Sequence, residues 1–151
     1  MKRRTVLNTA GLAGISAFAA TPAFAQMAAG DRFGAKISSP DMESGKEKHV
    51  PMIDAPASAK AGEKFTVTVQ VGKVVPHPNT IEHHIQSIEL YALEEGSQYL
   101  IKIAAVDLGP TFADPTITVP VMLKNSATLY AVEYCNIHGL WDNMKKITIT
   151  A

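Results

Sequence analysis

The chain has one cysteine, Cys135, and one tryptophan, Trp141, among its 151 residues. A lone cysteine excludes an intramolecular disulfide, so the thiol serves as a metal ligand, a nucleophile or an inert core residue. Long apolar runs are missing too. The one extended stretch without charge, from Val6 to Ala20, is alanine-rich and shorter than the ~20 residues of a spanning helix, so stable membrane insertion is not expected. Beyond that stretch no segment carries a helical apolar face. Nor is there an excess of positive charge: Lys and Arg number 14, as do Asp and Glu. Loss of residues 1–25 would remove Lys2, Arg3 and Arg4 and leave 11 basic residues against 14 acidic. That balance argues against nucleic acid or an anionic membrane surface as a general partner.

The first 25 residues read as an export signal. Lys2-Arg3-Arg4 supply a positive start, the mild Ala/Gly-rich run follows, and Ala23-Phe24-Ala25 is a small-x-small cleavage site, so the mature chain is expected to begin at Gln26. The paired Arg3-Arg4 before Val6-Leu7 resemble a twin-arginine signal, which places the protein in the periplasm and exports it already folded. An ordinary secretory signal with two arginines is the competing reading. Residues 26–44 lack periodicity and read as a loosely ordered arm. Residues 45–151 form the expected domain, long enough for a hydrophobic core.

That domain reads as strands. Phe65, Val67, Val69 and Val71 alternate with Thr66, Thr68 and Gln70, the period-two pattern of a half-buried strand. Further stretches fall at Ile81 to Leu93, Gln98 to Val106, Thr116 to Leu123, Ala127 to Tyr134 and Lys146 to Thr150. Turn signals at Pro76-His77-Pro78-Asn79, Glu95-Gly96-Ser97, Leu108-Gly109-Pro110 and Lys124-Asn125-Ser126 separate them. Several short strands with no helix predict an all-β, immunoglobulin-like β-sandwich.

Cys135 is followed by His138, and His49, His77, His83 and His84 stand upstream. One soft thiolate with several imidazoles suits iron, copper or zinc, not magnesium or calcium. His77 sits in a proline-bracketed loop that cannot continue a central ladder. His83 lies at the mouth of the next strand, Cys135 at a strand end, and His138 in the turn that Gly139 allows. Loops at one end of a sandwich are where such folds carry binding residues.

Glu47-Lys48-His49-Val50-Pro51, His77-Pro78 with Glu82-His83, and Cys135-Asn136-Ile137-His138-Gly139-Leu140-Trp141 resemble the iron centre of the superoxide reductases, that is, the neelaredoxin and desulfoferrodoxin iron-binding domain. Three motifs in the right order over most of the domain are far more specific than one. The resemblance implies an immunoglobulin-like β-sandwich with one mononuclear non-haem iron that reduces superoxide to hydrogen peroxide by one electron. It implies that His49, His77, His83 and His138 are equatorial ligands and Cys135 the axial ligand. Glu47 would occupy the open position after oxidation, and Lys48 would supply positive charge beside it. An external electron-donor protein is implied, as are homo-oligomers of two or four chains, which exposed edge strands permit. Three features depart from the family's pattern: Ser87 stands where the family often has tryptophan, no four-cysteine iron domain precedes the motifs, and Lys145 to Thr150 form what looks like an additional strand.

A rival of another class is a cupredoxin-like copper electron carrier, in which Cys135, His138, an upstream histidine and an axial Met144 would hold the metal. It leaves Glu47-Lys48-His49 and one of His77 and His83 without a role, and places Met144 farther from His138 than such loops do. A carrier using Cys135 as a reactive thiol lacks a flexible, glycine-rich presentation.

Overall fold

The computed structural model describes residues 48–151. The export signal (1–25), the arm (26–44), the first domain residues (45–47) and with them Glu47 lie outside the described residues.

Eight strands and no helix make up the described chain: β1 (Pro51–Asp54), β2 (Ser58–Lys60), β3 (Lys64–Val71), β4 (Ile85–Glu94), β5 (Ile101–Asp107), β6 (Thr116–Met122), β7 (Ala127–Cys135) and β8 (Gly139–Thr150). They form a three-stranded sheet in the order β1-β3-β6 and a five-stranded sheet in the order β2-β8-β7-β4-β5. All pairings are antiparallel except β2 with β8. The fold is the expected immunoglobulin-like β-sandwich. Alternation builds its core: Val67, Val69 and Val71 of β3 face inward with Ile88, Leu90 and Ala92 of β4 and Leu129 and Ala131 of β7. Fully burying one such side chain stabilises by roughly 1.5–3 kcal/mol.

The structure departs from the sequence reading at several places, among them the start of β5 at Ile101 and not at Gln98. Residues 81–84 stay outside β4, because Thr80 closes a turn there: its N–H donates to the His83 carbonyl and its hydroxyl accepts from the His83 N–H. β1 and β2 carry too few residues to show an alternation. Finally, the last strand starts at Gly139 and not at Lys146, so Lys145 to Thr150 continue the arm of a hairpin. Asp142 and Asn143 are poor strand formers, but their register against Val132 and Ala131 overrides that preference.

Two carboxylates, Glu133 and Asp142, are buried among the described residues, Glu133 the more deeply. Glu133 is 1 % exposed, opposite Ile88 and Trp141, and neither carboxylate oxygen has a hydrogen-bond partner. Burial pushes its pKa up to about 9. The folded state therefore holds a proton that the unfolded state releases near pH 4.5. The associated stability is complete below that pH and declines as pH rises towards about 9, by up to ~1.4 kcal/mol per unit. Glu133→Met is expected to melt higher than the parent in the iron-free form, with a gap that widens between pH 6.5 and 8.5. A gap independent of pH would show that Glu133 is not held protonated.

Candidate metal centre

Four segments meet at one end of the sandwich: the lead-in to β1, the β3–β4 loop, the β5–β6 loop and the β7–β8 turn. Pairing brings them together. Ile85 faces Cys135 across β4 and β7, Cys135 faces Gly139 across the hairpin, Leu108 N–H donates to the Gln86 carbonyl and Val71 N–H to the Pro115 carbonyl.

His49, His77, His83 and His138 arrive as a closed ring of imidazoles. Centroid separations around it are 4.9 Å (His49–His77), 4.6 Å (His77–His83), 4.9 Å (His83–His138) and 4.7 Å (His138–His49). The His49–His83 separation is longer, 6.3 Å, as a diagonal must be. Neighbouring rings stand at 65–76° to one another, edge to face. Donor atoms of His49, His77, His83 and Cys135 all lie within 4.8 Å of one another. His138 joins through Nδ1, which is 3.0 Å from His49 Nε2 and 3.5 Å from Cys135 Sγ. Two nitrogens each about 2.1 Å from one ion, at a right angle, are separated by about 3.0 Å.

The ring is asymmetric in depth. Cys135 is fully buried, His49 and His77 nearly so, His83 half-buried and His138 exposed. The thiol therefore lies on the core side of the ring, and solvent reaches it from the His83 and His138 side.

Each imidazole is oriented by a separate contact. Pro76 and Pro78 fix the backbone around His77, whose Nδ1 bonds the Pro78 carbonyl at 2.7 Å, leaving Nε2 to point into the ring. Trp141 stacks on His49 at 4.6 Å and 12°. Asn136, in the turn between Cys135 and His138, straddles His83: its Oδ1 accepts from His84 N–H (2.9 Å), its Nδ2 donates to the Glu82 carbonyl (2.9 Å), and its own N–H donates to the His84 carbonyl (3.2 Å). Asn136 thus laces the two halves of the ring together, a role its sequence position alone did not reveal. His84 stays outside the ring and bonds the Thr80 carbonyl through Nδ1.

The electrostatics favour neutral, metal-ready imidazoles. Desolvation, with smaller contributions from His49, His83 and Lys48, lowers the His77 pKa to about 4 despite the opposing Pro78 hydrogen bond. Desolvation and neighbouring positive groups, His138 and Lys48 among them, also hold His83 below its usual range. His77 Nε2 and His83 Nε2 are buried without a hydrogen-bond partner. Two orphaned ring nitrogens beside a buried thiol are costly unless a cation takes them. The residues present fit a metal with four imidazoles around it and one thiolate beneath. Lys48 is close enough to contribute to both pKa shifts.

The copper-carrier arrangement does not fit. Met144 pairs with Tyr130, whereas Cys135 pairs with Gly139, so Met144 lies about 17 Å away along the hairpin. Ser87 faces the outer side of the five-stranded sheet, where with Glu89, Tyr91, Val132 and Leu140 it lines a cleft of about 280 Å³. The aromatic that packs against the ring is Trp141, stacked on His49.

Residues 41–144 match the desulfoferrodoxin family. The superoxide reductase of Pyrococcus furiosus is 44 % identical over 109 residues, covering 64 % of this chain and 86 % of the relative. Neelaredoxin of Megalodesulfovibrio gigas is 35 % identical over 115 residues, 68 % of this chain and 88 % of the relative. Among solved structures, the superoxide reductase (neelaredoxin) of Ignicoccus hospitalis superposes with a TM-score of 0.67 at 41 % identity, covering 76 % of this chain and 95 % of that one.

Proposed function

Because the chain belongs to the desulfoferrodoxin family, we infer that it is a superoxide reductase, an oxidoreductase that converts superoxide, one electron and two protons into hydrogen peroxide. The observation that carries the reading is the closed ring of four imidazoles above one buried thiol. Iron is the metal we propose for it, held by His49, His77, His83, His138 and Cys135. Bound there, ferrous iron would supply the electron.

The chain's own residues do the rest. Four neutral imidazoles and one thiolate would leave a bound divalent ion with net charge near +1, which would attract a small anion. Cys135 sits on the core side, so the substrate side is the solvent side. Burial shields the thiolate from competing oxidation. Lys48 adds a second positive charge at the opening and orders the water that delivers protons. Glu47 is proposed, from its place in the matched segment, as the carboxylate that closes the open side of the oxidised centre. We propose further that the protein works in the periplasm after twin-arginine export, receives its electrons from a donor protein and assembles as a homo-oligomer.

Metal analysis with stopped-flow mixing tests the reading. About one iron per chain and rapid oxidation of the ferrous protein by superoxide are expected; a stoichiometric copper content with no superoxide reactivity would refute it. Lys48→Ala should lower the second-order rate with superoxide about tenfold to a hundredfold and weaken its salt dependence, through lost steering. An unaltered rate would remove Lys48 from the mechanism.

A further inference from the structure

The β5–β6 loop holds out a phenylalanine where the fold gives no reason for one. Phe112 is 96 % exposed. The backbone on either side of it is pinned to the His77 loop: Asn79 Oδ1 accepts from Thr111 N–H at 2.9 Å, and Asn79 Nδ2 donates to the Ala113 carbonyl at 2.9 Å. Thr111 itself adopts φ = 67°, a left-handed conformation that β-branched side chains strongly disfavour. Two hydrogen bonds and a strained residue thus keep a large apolar ring in water beside the metal centre. Ile81 (71 % exposed), Ile137 (57 %), Val74 (57 %) and Val75 (44 %) project from the same ligand-bearing loops. Exposed apolar groups clustered in this way mark an interaction surface, and a rigidly presented aromatic is the usual anchor of one.

The chemistry of the centre limits what docks there. Each turnover consumes one electron. The chain has one cysteine, already committed to the ring, and the described residues hold one cluster of metal donors. Electrons must therefore come from another molecule, through the face on which His83 and His138 are open. A second copy seated on this collar would cover that opening and block the substrate. Charge does not select the partner, since Lys48, Lys73, Glu82 and Asp114 in these loops balance in sign. We propose that the apolar collar anchored on Phe112 is the docking face for a small one-electron carrier protein whose own redox centre is rimmed by apolar residues. The proposal rests on the superoxide reductase reading and adds to it where the electron enters. Contacts of this kind are small and transient.

The test uses the iron-loaded, full-length protein and a reduced single-haem c-type cytochrome as the carrier, with ascorbate as a small-molecule control. Phe112→Ser and Ile81→Ser are each expected to slow reduction of the oxidised centre by the cytochrome about tenfold, the effect of a single anchor residue. Reduction by ascorbate and oxidation of the ferrous centre by superoxide should match the parent protein. Equal cytochrome rates in parent and variants, or no reduction of the parent by the cytochrome, overturns the assignment. So does a Phe112→Ser protein whose sedimentation shows a smaller assembly, because the collar would then be a contact between copies. Failure of the parent itself to react with superoxide is read in a separate arm and bears on the enzymatic reading alone.

Discussion

Cys135→Ser is expected to bind iron without the thiolate-to-iron absorption band of the oxidised protein and to reduce superoxide at least about a hundredfold more slowly. Even residues that only orient a ligand cost 10- to 100-fold when lost, and Cys135 is the only sulfur donor the ring has. The substitution is near-isosteric, so the fold should survive. Cys135 is 0 % exposed and packs with Ile85 in the apolar core, so a hydroxyl there costs about 1–3 kcal/mol and lowers the melting temperature modestly. The band and the melting curve separate the two effects. A variant that melts lower but keeps the parent spectrum would show that Cys135 is a packing residue and not a ligand.

Gly72→Ala should cost more than any surface change far from the ligands. Gly72 ends β3 with φ = +74°, and a Cβ there would lie 2.5 Å from the His77 backbone nitrogen. Left-handed backbone costs an alanine roughly 1–2 kcal/mol, and relieving the overlap costs about 1–3 kcal/mol more. Relief can come only by moving the Pro76-His77-Pro78 segment, which carries the proposed ligand His77. We expect a loss of about 3 kcal/mol, a melting point lower by roughly 15 °C, and reduced iron content. Gly62→Ala is the internal control: φ is +73°, yet nothing lies within 4 Å of the added carbon, so only the backbone cost of roughly 1–2 kcal/mol should appear and iron content should hold. Equal iron loss in both would show that the tight approach at Gly72 does not position His77.

Much of the candidate site is legible in the sequence because ligand geometry constrains residue type so tightly. Imidazole and thiolate cannot be replaced by similar side chains, so His49, His77, His83, Cys135 and His138 stand out in the chain, and Pro76 and Pro78 mark the loop that bears one of them. Valines at every second position gave β3 its limits almost to the residue. What could not be read was whatever depends on pairing. β8 became visible from Gly139 only once Asp142 and Asn143 had partners on β7. Nothing in the sequence marks Asn136, between Cys135 and His138, because its bonds to the Glu82 carbonyl and the His84 N–H reach across to the far side of the ring. Gly72 carried a weak signal, a glycine at the end of an alternating run, but its closeness to His77 is a fact of the loop's path. Phe112 gave no signal, since exposure is decided by neighbours distant in sequence.

The parallel pairing of β2 with β8 joins segments far apart in the chain. Ser58 lies beside Thr148, ninety residues later, and the two arms of the metal ring, His83 and Cys135, are joined only once β7 has found β4. Contacts between such distant segments form slowly. Until they form, four imidazoles and a naked thiolate are offered to whichever transition metal is most abundant, and affinity alone favours copper over iron. The compartment in which the last strand locks into place therefore decides which metal the ring acquires. Under the twin-arginine route proposed above, that choice would fall in the cytoplasm, before the protein meets the metals outside.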